Sequence, residues 1–218
     1  MTPRAKQLSL GLARPPVYTR AAFVASAANA AALAAVEAWP AWPGGALALI
    51  GPEGCGKTHL ATVWAERAGA VRHDPAGTAP GRPVLVEDAD AIDGETLFHL
   101  INRAPTDGGL LLTARTRPAA WPAALPDLRS RLNALTVAEI GAPDDALMIA
   151  VLEALLREKH IRAAPDLYEF LLRRMERSVT AARAIVARLD EAAAEQGRAV
   201  NRALAREVLE ETADLFEG

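Results

Sequence analysis

The stretch ALALIGPEGCGKTHL, residues 46–60, is the most informative part of the sequence. It joins a short apolar run to a glycine-rich segment, which leads into a helical run. Residues 51–58 fit the spacing G-x-x-x-x-G-K-[ST] in full, a pattern whose backbone N–H groups cradle phosphate. Glycines permit that curl of the backbone, because side chains would obstruct it. The strand before the motif and the helix after it favour a phosphate loop over a glycine-rich turn that binds nothing.

Each part of this loop has an expected role toward a nucleotide. Lys57 is expected to pair with the β and γ phosphates, and the Thr58 hydroxyl to give an oxygen to Mg²⁺. The helix N-terminus adds its partial positive charge. Cys55 lies inside the loop, where a small filler is favoured over a redox role. The predicted nucleotide-binding residues here are Gly51, Pro52, Glu53, Gly54, Cys55, Gly56, Lys57, Thr58 and His59.

Strands and helices alternate around the loop, which predicts a parallel sheet with right-handed crossovers and therefore an α/β fold. Residues 70–83 are predicted to be a loop with at most a short strand, and Ser26 is the expected cap of the first helix. Strands are predicted at 46–50, 84–88 and 110–114, and helices at 26–39, 59–68 and 94–104.

After residue 143 the strand patterns stop, and four amphipathic helices are predicted to form a helical lid. Residues 1–17 contain adjacent prolines and no helical period, which is typical of an extended arm. The predicted organisation is an arm at 1–17, a nucleotide-binding core at 18–142 and a lid at 143–218, with lid helices at 144–158, 165–176, 178–196 and 201–215.

Two adjacent acids follow the second apolar strand. At the carboxyl edge of a parallel sheet, beside a phosphate loop, such residues suit metal handling and water activation. Glu87 is expected to hold Mg²⁺ through water, and Asp88 to polarise the attacking water. Thr113, in the third strand, is expected to contact the γ-phosphate or that water. The alternative is that residues 87–90 are merely an acidic turn.

Composition excludes several classes of protein. The chain has 218 residues, of which 51% are hydrophobic, so it can build a core and is not globally disordered. Its 24 Lys and Arg against 27 Asp and Glu argue against a protein that wraps duplex DNA. The single cysteine excludes a disulfide framework. Neither a membrane span nor a signal peptide is recognisable, so a cytoplasmic location is expected.

The phosphate loop, the acidic strand, the third strand and the helical lid together resemble an AAA+ ATPase. Within that class, residues 115–118 (RTRP) and 128–132 (LRSRL) resemble the T-S-D-R-x-P and L-x-S-R-[FL] patterns of the DnaA family of bacterial replication initiators. Phe23, Val24 and Asn29 are similar to the segment with which that family surrounds adenine, which implies that they contact the base.

The chain resembles the Hda family more than the initiators themselves. It is expected to lack the helix-turn-helix domain that follows an initiator's lid, and residues 7–12 (QLSLGL) are similar to the sliding-clamp-binding motif of the Hda family. An extended peptide can lay alternate leucines in an apolar cleft. Taken alone, the same alternation equally favours an edge strand packed on the domain. The predicted partner-binding residues are Gln7, Leu8, Ser9, Leu10, Gly11 and Leu12.

This resemblance implies a regulator of the replication initiator DnaA. It implies binding of ADP or ATP with Mg²⁺, docking on the sliding clamp (the β subunit of DNA polymerase III), and stimulation of the hydrolysis of DnaA-bound ATP in trans. Arg131 matches the family's arginine finger, and such fingers are worth about 10³–10⁵ in rate. On chemistry alone Arg129, two residues earlier, is an equal candidate.

Thr180 stands where the family's lid carries a nucleotide-sensing arginine, so intrinsic ATPase activity is expected to be weak at most. Arg183 or Arg177, each about one helical turn away, is left to compensate, and Arg183 is the predicted nucleotide contact. A self-contained ATPase or helicase loader and a clamp-bound adaptor with a vestigial nucleotide site stay open as alternatives. So does a homodimer. The arginine-rich residues 172–188 allow weak DNA contact at most.

Overall fold

A computed structural model of the chain describes residues 18–77 and 80–214. The predicted clamp motif, Gln7 to Leu12, lies outside these residues. Within them, the strands are β1 (Ala46–Ile50), β2 (Val71–Arg72), β3 (Val84–Val86), β4 (Leu110–Ala114) and β5 (Thr136–Glu139). The helices are α1 (Ala30–Glu37), α2 (Lys57–Ala68), α3 (Gly94–Asp107), α4 (Pro126–Ala134), α5 (Asp145–Glu158), α6 (Pro165–Leu172), α7 (Val179–Gln196) and α8 (Arg202–Asp214).

The strands form one sheet in the order β2-β3-β4-β1-β5, and every pairing is parallel. All residues of β1 and β4 are buried, as helices on both faces of a parallel sheet require. The predicted α/β fold with a parallel sheet is confirmed. The edge strand β5 is not among the predicted strands, because its sequence TVAE contains no run of large apolar residues.

Apolar clusters cover the two faces of the sheet. Helices α1 and α2 contribute to one cluster, and α3 and α4 to the other. Leu47 and Leu49 belong to the first, whereas Ala46 and Ile50 belong to the second. Since alternate residues of a strand face opposite sides, β1 packs against the helices on both faces of the sheet. The loop that follows Ile50 is therefore held rigidly at its starting point.

Helices α5 to α8 enclose an apolar cluster of their own, in which Met148, Leu152, Leu171 and Leu204 have no exposed surface. Val24, which lies ahead of α1, packs against that cluster. The segment before α1 therefore connects the sheet layer with the lid helices. Among the described residues, no helix combines the length and the hydrophobicity that a membrane span requires.

The first helix begins later than its pattern predicts. Helix α1 starts at Ala30, not at residue 26, because the side chain of Asn29 orders the preceding residues as a turn. Its Oδ1 accepts a hydrogen bond from the Ser26 amide at 2.8 Å, and its Nδ2 donates to the Val24 carbonyl at 2.9 Å. Ser26 therefore belongs to the turn and is not the helix cap.

Two other predicted elements end early. Helix α6 ends at Leu172 rather than at residue 176, because the chain turns there to bring Ser178 into the extended N-cap position of α7. Strand β3 ends at Val86 rather than at residue 88, because Asp88 has a φ of 50°, in the left-handed region that no strand adopts. The remaining predicted helices agree with the structure to within one turn.

Candidate nucleotide-binding site

The glycine-rich loop joins the end of β1 to the first turn of α2. Gly54 and Gly56 have φ values of 69° and 106°, which favour glycine. The Lys57 ammonium donates hydrogen bonds to the carbonyls of Gly51 at 2.9 Å and Pro52 at 2.8 Å, so it already lies within the curl of the loop. The loop thus has the backbone shape, the cation and the helix N-terminus that a phosphate chain requires.

Close packing beneath the loop explains two of its small residues. A Cβ atom on Gly51 would lie 2.4 Å from the Ile140 carbonyl oxygen, a distance that no side chain tolerates. Cys55 is buried in the apolar cluster under α1 and α2. Burial raises the pKa of its thiol, although the nearby Lys57 ammonium opposes that effect. Cys55 therefore packs as a small apolar residue, in agreement with the filler interpretation.

The predicted adenine-binding residues lie together around one small cavity, with a volume of about 40 Å³. Phe23, Val24 and Asn29 form its wall on the side of the sheet layer. Gly56 and His59 bring it next to the phosphate loop. The opposite wall comes from lid residues, namely Leu147, Val151, Ala154, Leu155, Val179 and Arg183. The cavity is therefore bounded by the sheet layer, the loop and the lid together.

Like Asn29, His59 is a buried polar residue of this cavity. Its Nε2 donates to the Thr19 carbonyl at 2.8 Å, and its ring lies edge-on to Phe23 with centroids 5.3 Å apart. Burial lowers the pKa of His59, and the positive charge of Arg183 lowers it further, against the opposing effect of the Thr19 bond. The imidazole is therefore neutral near pH 7, and it orders the segment ahead of α1.

This environment makes folding stability depend on pH. A histidine whose pKa is lower in the folded than in the unfolded chain stabilises the fold above about pH 6.5 and loses that contribution as the pH falls. We expect the free energy of unfolding, measured by urea titration, to decrease from pH 7 to pH 5.5. His59→Gln should flatten that decrease. His99→Gln, at a side chain that is 65% exposed, is the control and should leave the decrease unchanged.

The N-terminus of the lid helix α7 touches the phosphate loop directly. The Val179 amide donates to the Gly54 carbonyl at 2.8 Å. The buried Ser178 caps the helix through a 3.0 Å bond from the Ala181 amide. A Cβ atom on Gly54 would lie 2.5 Å from the Ser178 Cβ. Any displacement of the loop therefore moves the start of α7.

A side chain at Gly54 tests this contact. Gly54→Ala should destabilise the fold by about 1–3 kcal/mol more than Gly69→Ala, because both sites have a positive φ but only Gly54 faces another atom closely. That difference corresponds to a melting temperature lower by about 2–4 °C for each kcal/mol. Equal melting temperatures for the two variants, measured by calorimetry, would show that the loop and α7 are not packed as described.

The lid arginines lie in different environments. Arg177 forms an ion pair with Asp145 at 2.8 Å, on the surface of the lid. Arg183 is half-buried on the cavity wall, and its guanidinium lies 5.8 Å from the centre of the Tyr18 ring. Thr180 is exposed on the first turn of α7. Arg183 is therefore the lid arginine that faces the cavity.

The acidic residues after β3 lie at the carboxyl end of the sheet, as expected of a parallel strand. Thr113 is buried, and its hydroxyl accepts a hydrogen bond from the Asp88 amide at 3.3 Å. Asp88 is exposed, whereas Glu87 forms an ion pair with Arg72 of β2. Among the described residues, no group of three histidine, cysteine or acidic side chains lies close enough together to hold a metal ion, so any Mg²⁺ here would need oxygens from the nucleotide and from water.

The RTRP segment, residues 115–118, also lies at the carboxyl end of the sheet. The Arg115 guanidinium pairs with Glu53 of the phosphate loop at 2.9 Å, and Arg117 pairs with Glu139 at the end of β5 at 2.6 Å. Surface pairs of this kind contribute about 0–1 kcal/mol each. These two pairs therefore position the RTRP segment against the loop and β5, and they contribute little to stability.

The two candidate finger arginines differ in what they contact. Arg129 donates to the carbonyls of Ala119 at 2.7 Å and Trp121 at 2.8 Å, so it holds the turn before α4 in place. Arg131 is exposed and borders a depression that includes Ala46, the first residue of β1. The phosphate loop follows the last residue of β1, about 13 Å further along the strand. Arg131 therefore lies at the opposite end of the sheet from its own loop.

With this geometry, the chain can be compared with solved structures. It is similar to domain III of the replication initiation protein DnaA from Thermotoga maritima, with 18% identity, a TM-score of 0.74, and coverage of 90% of this chain and 97% of that one. It is also similar to a replication initiator DnaA bound to AMPPCP and single-stranded DNA, with 17% identity, a TM-score of 0.64, and coverage of 79% and 64%. The chain has a DnaA-like AAA+ fold.

A second AAA+ similarity is more distant. The Thermotoga maritima RuvB Holliday junction branch migration motor has 16% identity, a TM-score of 0.60, and coverage of 75% of this chain and 60% of that chain. This chain thus spans less than two thirds of that motor and of the AMPPCP-bound initiator. Neither a protein-family model nor a curated protein matches the sequence. At such identities the likeness shows the AAA+ fold alone.

Sequence reasoning missed three residues of this AAA+ site. Ser178 contacts Gly54 of the loop, although the two are more than a hundred residues apart in sequence. Arg72 pairs with Glu87 after β3, fifteen residues further along the chain. Arg115 belongs to the RTRP pattern, which does not predict its ion pair with Glu53. The serine before a helix and the arginine in a strand carry no motif, so no signal in the sequence could have placed them.

Proposed function

We propose that this chain is an AAA+ regulator of the Hda type. It binds adenine nucleotide as a latch between core and lid, docks on the DNA-loaded sliding clamp, and stimulates hydrolysis of ATP held by the replication initiator DnaA. The observation that carries the proposal is the position of Arg131. An exposed arginine at the far end of β1 from its own phosphate loop is suited to the nucleotide of another subunit.

The nucleotide part of the proposal rests on the cavity and the loop. Lys57 and the loop amides would hold the phosphates, and the Phe23–Val24 wall with Arg183 would enclose the base. Thr58 and Glu87 are the proposed Mg²⁺ contacts. The DnaA neighbour of the same fold binds AMPPCP, which supports an adenine nucleotide here.

The latch follows from the contact between Gly54 and α7. Because the loop and the lid meet through Ser178 and Val179, a ligand seated on the loop stabilises one arrangement of the two. We propose boundaries at 17/18 and 142/143 for the arm, core and lid. In this arrangement the nucleotide supplies binding free energy that orders the Arg131 face, and turnover on this chain is not required.

The trans activity follows from the chemistry of a guanidinium. Placed against the γ-phosphate of a neighbouring subunit, Arg131 would spread the negative charge of the transition state. Tethering by the arm, residues 7–12, would raise the local concentration of the chain at a clamp that holds several copies. The initiator and the clamp are the proposed partners, with DNA contact weak at most.

A self-contained ATPase is the second candidate, and one observation favours it. The bond between Thr113 and the Asp88 amide orders a carboxylate at the edge of the sheet where a water-activating group belongs. Against it, Glu87 is already paired with Arg72. Steady turnover by the chain alone, without clamp or initiator, distinguishes the two candidates.

The clamp requirement is tested with the arm. Hydrolysis of initiator-bound ATP is followed with the wild-type chain and with Gln7→Ala/Leu12→Ala, each with the DNA-loaded clamp present or omitted. The proposal expects acceleration only for the wild type with clamp. Equal acceleration in all four reactions would remove the clamp from the mechanism.

A further inference from the structure

Arg72 lies between the acidic strand and the phosphate-loop helix. Its Nη1 donates to the Glu87 Oε2 in an ion pair, and its Nη2 donates to the Thr62 hydroxyl at 3.0 Å. Strand β2 supplies the arginine, helix α2 supplies the threonine, and Glu87 directly follows β3. One guanidinium therefore bridges three elements of the site.

The position of Thr62 defines where that positive charge lies. Thr62 is four residues after Thr58 on α2, so the two hydroxyls share one face of the helix. Thr58 and Glu87 are the residues proposed to contact Mg²⁺. The guanidinium thus lies against the same carboxylate, on the helix face that carries Thr58 and about one turn further along it.

We propose that Arg72 is the resident counter-cation of Glu87 and competes with Mg²⁺ for it, so that this chain binds ADP with little dependence on Mg²⁺. The inference rests on the proposed nucleotide binding and assigns a regulatory role at that site. A magnesium ion approaching Glu87 meets an occupied carboxylate and a repelling charge. Arginine does not lose its proton at accessible pH, so the competition is permanent.

Such competition suits a latch better than a motor. A nucleotide held by Lys57 and the loop amides needs no metal to stay bound. Weak metal retention would leave the site able to hold ADP steadily while the Arg131 face acts on another subunit. Arg72 acts through Glu87, so it is a positioning residue rather than a catalytic one.

The test is the affinity for a fluorescent ADP analogue, measured at equilibrium with Mg²⁺ and with EDTA. The affinity of the wild type should differ by less than about twofold between the two conditions. Arg72→Gln should bind the analogue at least about fivefold more tightly with Mg²⁺ than with EDTA, a gain of the size expected when one ion pair is removed. Arg82→Gln is the matched control. Its guanidinium lies near the same sheet edge but donates to the Gly69 carbonyl at 2.7 Å, so it should behave as wild type.

A second variant keeps the inference testable if Arg72→Gln does not fold. Thr62→Val removes the hydrogen bond that anchors the Arg72 Nη2, so it should increase the effect of Mg²⁺ on ADP affinity above that of the wild type. A wild type that binds at least about fivefold more tightly with Mg²⁺, with that gain lost in Glu87→Gln, would overturn the inference and leave nucleotide binding intact. No binding of the analogue in either condition would overturn the proposed function and this inference with it.

Discussion

Lys57→Ala is expected to weaken ADP binding by at least about 100-fold, which corresponds to about 2.7 kcal/mol. Two losses combine in this variant. The phosphates lose a charge-assisted hydrogen bond of the strongest kind. The carbonyls of Gly51 and Pro52 also lose the ammonium that they accept from, so the curl of the loop is no longer held closed. Isothermal titration with ADP measures the effect.

The chain offers a matched control for this variant. Lys159 is a lysine whose ammonium is bonded elsewhere, in an ion pair with Asp190 at 2.9 Å on the surface of the lid. Lys159→Ala should bind ADP as the wild type does. If Lys57→Ala kept affinity within about threefold while its melting temperature was unchanged, the phosphate loop would not be the nucleotide site.

Arg131→Ala is expected to reduce the acceleration of initiator ATP hydrolysis by about 10³-fold, the value typical of an arginine finger supplied in trans. The chain's own affinity for ADP should stay unchanged. The reason is geometric, since Arg131 borders the depression at Ala46 while the nucleotide site follows Ile50 at the other end of β1. Single-turnover hydrolysis and ADP titration, run on the same preparation, measure the two effects.

The control for Arg131 must be an exposed arginine whose side chain does not stabilise the fold. Arg206 on α8 meets both conditions, and Arg206→Ala should accelerate hydrolysis like the wild type. Arg129 does not, because its bonds to two carbonyls before α4 make Arg129→Ala a structural change. Full acceleration by Arg131→Ala would exclude this residue as the finger.

The sequence predicted the centre of the fold well because a motif with strict backbone requirements lies there. The run 46–50 has to be a strand and the residues after 57 a helix for the loop to curl around phosphate. Strands β1 and β4 are also uniformly apolar, so burial on both faces could be predicted without the structure. The helical period of apolar residues was enough to predict the lid helices, because each of them buries one apolar face in a common cluster.

The sequence could not predict the contacts that complete the site. Ser178 against Gly54 and Arg72 against Glu87 depend on how distant elements pack, and neither pair carries a spacing pattern. Predicted helix boundaries were wrong where a side chain overrides the local sequence pattern, as Asn29 does before α1. On chemistry alone, Arg129 and Arg131 were equal candidates. In the structure Arg129 is bonded to two carbonyls, whereas Arg131 is exposed beside the start of β1.

Differential labelling separates action on another subunit's nucleotide from turnover of the nucleotide that this chain holds. In one reaction only the initiator carries labelled ATP, and in a second only this chain does, with DNA-loaded clamp in both. We expect the label on the initiator to be converted to ADP about 10³-fold faster than without this chain, while the label on this chain persists. Steady conversion of this chain's own label, with no acceleration on the initiator, would contradict the account.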